Sequence, residues 1–201
     1  MSCSISSEIP FAAAAERRRG RWLALALFAI AVLPVAAAFW AFFFWTPASG
    51  TNYGRLITPV SLPDTELSAP DGRRFTLAQL RGRWSLVQID NGRCAEDCVK
   101  RLFLMRQVRL MQGREMDRLE RLWLLDDDTA PDARLLQGYE GMRVGRAPAA
   151  LIRLFPEEEQ PGGHLYLIDP LGNLMLRFPP DADPRGVARD LGRLLKVSHV
   201  G

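Results

Sequence analysis

Apolar and polar positions sort this chain into one very long apolar run and a series of short patterned ones. From Trp22 to Trp45, 24 consecutive residues (WLALALFAIAVLPVAAAFWAFFFW) carry no charge. A bilayer core takes about 20 apolar residues in a helix, so this run predicts a membrane-spanning helix with some tilt. Later runs are shorter. Trp84 to Ile89 (WSLVQI) and Leu122 to Leu125 (LWLL) have the length and composition of buried strands. Between them, Cys98, Leu102, Met105, Val108 and Met111 recur at spacings of three and four, which predicts a helix over Glu96 to Gln112 with one apolar face. Gly113 loosens or ends it.

The flanking segments fill in the order. SAPDGRRFTLAQLRGRW, ahead of the first strand, holds a turn at Pro70-Asp71-Gly72, proline presetting φ and glycine accepting a positive φ. Asp132 to Tyr139 reads as a short helix and Ala150 to Phe155 as a third strand. HLYLID (His164 to Asp169), the turn Pro170 to Asn173 and LMLRF (Leu174 to Phe178) read as a hairpin. Asp183-Pro184 starts a closing helix to Val197, with Val187, Leu191, Leu194 and Leu195 as its stripe. Strands alternating with helices predict an α/β domain with a mixed sheet, behind one transmembrane helix.

Charge then orients the molecule. Arg17, Arg18, Arg19 and Arg21 precede Trp22 and place the amino-terminal side in the cytoplasm. A cleaved signal peptide ending at Ala36-Ala37-Ala38 is disfavoured, because the product would begin FWAFFFW. From Thr46 onward, 22 basic residues face 21 acidic ones, and this near balance excludes the electrostatic footprint of a nucleic-acid binder. The expected organisation is a cytoplasmic basic arm (1–21), an anchor held by membrane lipid (22–45), a linker (46–61), the main domain (62–197) and a tail (198–201). The expected location is a bacterial cytoplasmic membrane, crossed once, with the domain in the periplasm.

That topology changes the meaning of RCAEDC. Cys94 and Cys98 fall in an oxidising compartment, whereas Cys3 lies across the membrane and cannot pair with them. Positions i and i+4 at a helix start lie about 6 Å apart at Cα, within reach of a disulfide and of a shared metal ion alike. A redox couple, two soft ligands for Cu(I), and a stapling disulfide all remain open. A staple across so short a loop would stabilise little.

A strand running into a cysteine pair at a helix start, a late hairpin and a closing helix together resemble the thioredoxin fold. Within it, the single anchor, FTLAQLRGRWSLVQ, the three residues between the cysteines and YLIDPLGNLMLRFP resemble the Sco/SenC proteins over about Leu62 to Val197. The resemblance implies a membrane-anchored, copper-binding and thiol-redox factor in assembly of the copper-A centre of cytochrome c oxidase. The oxidase subunit carrying copper-A would be its partner, and copper its cargo. The implied redox pair is Cys94 and Cys98; the implied metal ligands are Cys94, Cys98 and His164. Two departures stand out. Ala95 and Val99 replace the prolines that usually follow the family's cysteines, and His164 is only two residues before Tyr166, whereas the family's histidine stands further ahead. A metal-independent thiol–disulfide oxidoreductase attacking through Cys94 is the enzymatic alternative, and a redox-inactive assembly scaffold is the third.

The remaining chemistry-bearing residues have blander readings. Asp126-Asp127-Asp128 reads as a solvated loop rather than a hard-metal site, and Glu157-Glu158-Glu159 as a solvated loop tip. Met105 and Met111 read as core, and His199 as part of a frayed tail.

Overall fold

The computed structural model describes residues 11–44, 52–156 and 163–198, so Cys3, His199 and the glutamates 157–159 lie outside the described residues. The chain forms two units, Met1–Gly50 and Thr51–Gly201. The first is helix α1 (Phe11–Phe44), which continues through Pro34 and whose stretch Arg21–Ala41 is long and apolar enough to cross a membrane. Membrane helices tolerate an internal proline better than soluble ones.

The second unit is an eight-stranded mixed sheet in the order β1-β8-β7-β4-β5-β6-β2-β3. Its strands are β1 (Arg55–Ser61), β2 (Glu66–Ser68), β3 (Arg74–Thr76), β4 (Trp84–Asp90), β5 (Leu119–Leu125), β6 (Arg143–Arg146), β7 (Leu165–Ile168) and β8 (Asn173–Phe178). β4, β5 and β6 run parallel, and the other pairings are antiparallel. β4 is central, and Trp84 to Ile89 are all buried, as expected of a parallel strand covered on both faces.

Alternate residues of these strands feed two separate cores. Trp84, Leu86, Trp123, Leu165, Leu167, Leu176 and Phe178 face one cluster, sealed by helices α2 (Glu96–Met111) and α5 (Pro184–Val197). Val87, Ile89, Leu122, Leu124, Tyr166 and Leu174 face the other. α5 begins as its sequence predicts, with Pro184 in the first turn and the Asp183 carboxylate accepting from Gly186 N at 3.0 Å. Val187, Leu191 and Leu195 are buried along it.

The structure differs from the sequence reading at four places. Part of the expected linker is strand β1, paired antiparallel with β8; the chain just before it is tied to α5, Gly54 N donating to the buried Asp190 at 2.8 Å. The expected third strand over Ala150 to Phe155 is instead a short helix, α4 (Ala149–Ile152). Pro148 presets its start, and Leu151 and Phe155, four apart, both reach the second core. The strand that does pair there is β6, RVGR. Gly145 is needed in it, because a Cβ would come 2.8 Å from the Phe75 ring. Lastly, Met105 is fully buried but Met111 is 49% exposed, so the apolar stripe of α2 ends at Val108. The remaining helix, α3 (Ala133–Gln137), lies where expected and is capped by Asp132.

Candidate functional site

Cys94 and Cys98 sit where β4 hands the chain to α2, at the carboxyl end of the parallel strands. Open α/β sheets place their sites at such ends. A tight turn makes the junction: Cys94 N donates to Asn91 O at 3.2 Å, and Arg93 N to the Asn91 side chain at 3.1 Å. Cys94 itself has φ +46°, in the left-handed region that costs a non-glycine residue about 1–2 kcal/mol. That backbone turn precedes the helix and brings the Cys94 Cα within 5.0 Å of the Cys98 Cα. The two sulfurs are joined as a disulfide. Both cysteines are buried, Cys94 slightly less so (6% against 2% exposed).

One polar side chain reaches the pair from below. Gln88, fully buried on β4, donates its amide Nε2 to Cys98 Sγ at 3.0 Å and lies 3.4 Å from the Cys98 carbonyl oxygen. Its Oε1 has no hydrogen-bond partner. A buried amide left half satisfied costs free energy, so its placement against a sulfur is a feature to be explained by chemistry rather than by packing. The Nε2–H would favour a Cys98 thiolate over a neutral sulfur, as hydrogen bonds to an ionised acceptor are the stronger.

The frame around the turn is polar and specific. Arg101, one turn beyond Cys98, forms a largely buried ion pair with Asp90 at the end of β4. This pair fixes the start of α2 to the strand, and removing one partner of such a pair costs about 3–5 kcal/mol. Asp127 accepts from Gly92 N at 2.9 Å. Its carboxyl is held below the ordinary value of 3.8, chiefly by the Thr129 hydroxyl and then by Gly92 N. Gly92 passes so close to this loop that a Cβ would stand 1.8 Å from the Thr129 carbonyl oxygen. The acidic triplet Asp126 to Asp128, expected to be solvated, therefore braces the cysteine turn through its middle member. Asp128 pairs with Arg146 at 3.1 Å. At the start of α2, Lys100 bridges Glu96 (2.9 Å) and Asp97 (3.1 Å), and these contacts raise its pKa, Glu96 most.

His164 lies elsewhere. It immediately precedes β7, and its ring packs beside that of Tyr166, 6.3 Å between centroids. Tyr166 belongs to the second core, on the face away from α2. Among the described residues, no group of three His, Cys, Asp or Glu side chains is arranged to hold a metal ion. The structure thus joins Cys94 with Cys98 and sets His164 beside Tyr166. Gln88 and Asp127 were missed by sequence reasoning. The one available signal was a glutamine inside an otherwise apolar, doubly buried strand.

Residues 84–198 match the family described as a transmembrane-like, thioredoxin-like, C-terminal domain. The chain belongs to this family. The match spans more than half of the chain, from the first residue of β4 past the end of α5. No curated protein matches the sequence. Among solved structures, this thioredoxin-like domain is similar to copper-bound ScoI of Bradyrhizobium japonicum at 20% identity and a TM-score of 0.53, covering 67% of this chain and 99% of that one. It is also similar to copper-bound yeast Sco1 (16% identity, TM-score 0.55, 70% and 91% covered). A third similar structure is the thioredoxin domain of a thiol-disulfide oxidoreductase from Bacteroides vulgatus (14% identity, TM-score 0.53, 70% and 99% covered). The thioredoxin-like fold and the likeness to Sco/SenC proteins expected from the sequence are therefore met, at identities where the likeness is one of fold.

Proposed function

We propose that this protein is a membrane-anchored assembly factor whose Cys94–Cys98 pair cycles between disulfide and dithiol to serve the copper-A centre of cytochrome c oxidase. The observation that carries the reading is a disulfide closed across four residues at a strand-to-helix junction, with a buried amide aimed at one sulfur. The fold shared with copper-bound ScoI and Sco1 supports a copper-linked role, and the choice of the copper-A centre rests on the sequence resemblance. The domain would stand on the outer side of the cytoplasmic membrane, tethered by α1.

In the thiol-redox step, the Cys94 thiolate attacks one sulfur of a target disulfide and displaces the other as a thiolate. Cys98 then attacks the Cys94 sulfur, closing the intramolecular disulfide and releasing the second target thiolate. The target gains two electrons and two protons, and a dithiol donor must restore the pair. Cys94 is assigned the attack because it is the more exposed of the two and leads the helix. Gln88 stays with Cys98 and favours its thiolate during the resolving step.

Copper enters as cargo of the dithiol form. Two thiolates are soft donors that suit Cu(I), so the residues present fit a site made of Cys94 and Cys98. A third ligand from His164, which the family resemblance implies, would require its ring to leave Tyr166. That observation favours a second reading, a metal-independent thiol–disulfide oxidoreductase on the same pair.

A Cu(I) titration of the reduced full-length protein in detergent, against a competing chelator, separates the two. The first reading expects Cu(I) uptake that weakens by at least about tenfold in Cys94→Ser and Cys98→Ser. Equal binding by wild type and both variants would sink it. Turnover on an oxidised peptide carrying the acceptor's cysteines, with no copper uptake, would establish the second.

A further inference from the structure

A second polar feature of the α2 face lies away from the cysteines. Arg121 sits in the middle of β5, paired across the sheet with Leu86, and is only 4% exposed. Its guanidinium shares a cavity of about 200 Å³ with Arg106 and Arg109, two residues on the flank of α2. Each arginine spends part of its donor fork on the protein. Arg121 Nη2 donates to the Glu140 carbonyl oxygen, Arg106 Nη1 to the Gly138 carbonyl oxygen at 3.2 Å, and Arg109 Nε to the Leu119 carbonyl oxygen at 3.0 Å. Arg109 Nη2 also meets the exposed Asp117 carboxylate at 3.0 Å. Arg121 Nε is buried without a hydrogen-bond partner.

Three guanidiniums around one cavity are not balanced by the carboxylates nearby. Glu140 lines the cavity but is exposed, and Asp117 lies at the outer end of Arg109. Glu120, next to Arg121 in sequence, is paired with Arg83. Burial, and then the charges of Arg109 and Arg106, hold the Arg121 pKa below its usual value, against a smaller opposing pull from Glu120. Clamping one carbonyl oxygen would not by itself call for a buried guanidinium beside two others. The geometry points to a binding site for a phosphate-type oxyanion, held by Arg121 from the sheet and by Arg106 and Arg109 from the helix. Planar guanidinium forks match oxyanions in geometry and charge. Donors converging from two elements suit a tetrahedral group better than a planar carboxylate, and the cavity has room for one. The group could arrive as free inorganic phosphate or as the phosphomonoester of a larger molecule, such as a phosphatidic acid headgroup. This site does not depend on the reading of the cysteines.

The test is calorimetric titration of the full-length protein in detergent, with ionic strength held by chloride salts. The probes are inorganic phosphate and, separately, glycerol 3-phosphate. Saturable phosphate binding is expected, weakened by about tenfold or more in Arg106→Gln and in Arg121→Lys. Arg114→Gln, at an exposed arginine outside the cavity, should bind as the wild type does. Arg121→Lys keeps the charge but loses the fork. Should that buried variant fold poorly, Arg106→Gln on the helix surface carries the test alone. Binding of phosphate only would identify the free ion as the source, and binding of both probes would point to a phosphomonoester. Absence of saturable binding overturns the proposal. So does equal binding by wild type and the cavity variants, or an equal loss in Arg114→Gln.

Discussion

The two faces of the central sheet are built from alternate residues of the same strands, yet they differ in kind. The face away from α2 packs Val87, Ile89, Leu122, Leu124 and Leu174 into an apolar core, with Ser85 and Arg177 as its buried polar side chains away from the cysteines. The face under α2 and α5 is equally well buried but is broken by Gln88, Arg121 and the cysteine pair. Burying polar groups costs stability unless they are satisfied, and two of these have an atom with no hydrogen-bond partner. The difference lies in what the buried polar groups meet: on the α2 face they stand at the cysteine pair and at a cluster of arginines, and on the other face they do not.

The largest break in this comparison should come from the apolar face. Leu122→Ala removes a fully buried side chain and should destabilise the domain by about 2–5 kcal/mol, read from chemical denaturation. It should leave the reduction potential of the cysteine pair unchanged. A large change in potential would mean that the two faces are not separable.

Gln88→Leu should do the reverse. Loss of the Nε2–H donor to Cys98 Sγ removes stabilisation of the thiolate, so the pair should become more reducing by about 30 mV, equivalent to about 1.4 kcal/mol. Stability should change little, because a half-satisfied amide is replaced by an apolar group of similar size. An unaltered potential would reduce Gln88 to a packing residue.

Asp127 offers a smaller, pH-dependent test. Its folded pKa lies below 3.8, so its contribution is present above that value and is lost as pH falls through the lower, folded one. Protection of the Gly92 amide against hydrogen exchange should therefore fall on acidification below the ordinary carboxylate range. In Asp127→Asn the acid-dependent part of that loss should disappear. Identical pH profiles in wild type and variant would remove Asp127 from the account.

The smallest effect is expected at His164. With its ring beside Tyr166, His164→Ala should change Cu(I) affinity of the dithiol by less than about twofold. A loss of about tenfold would show that the ring moves to complete a three-ligand site.

Much of the architecture was legible because it rests on strong local patterns. The cysteine helix, the two inner parallel strands, the hairpin and the closing helix all carry clear periodicity or caps, and all form. β1 was not legible, since an edge strand needs little apolar surface and its residues are mostly exposed. β6 is short and polar at both ends, and its place is fixed by pairing with β5 and β2 rather than by its own pattern. α4 was misread because a short apolar run has no decisive period, and the proline before it settled the matter. At the site, the cysteine pair could be read directly from its spacing. Gln88 and Asp127 could not, because their roles depend on which backbone they meet across the fold. A triplet of aspartates reads as solvent-facing until Gly92 is seen to lie against it.

The central claim is that Cys94 and Cys98 form a working redox pair and not a staple. Equilibration of the full-length protein in graded thiol–disulfide buffers, followed by alkylation of free thiols, measures this directly. A working pair gives one two-electron transition between about −270 and −120 mV, the range of working dithiol proteins. A pair still oxidised below about −300 mV, as structural disulfides are, would contradict it.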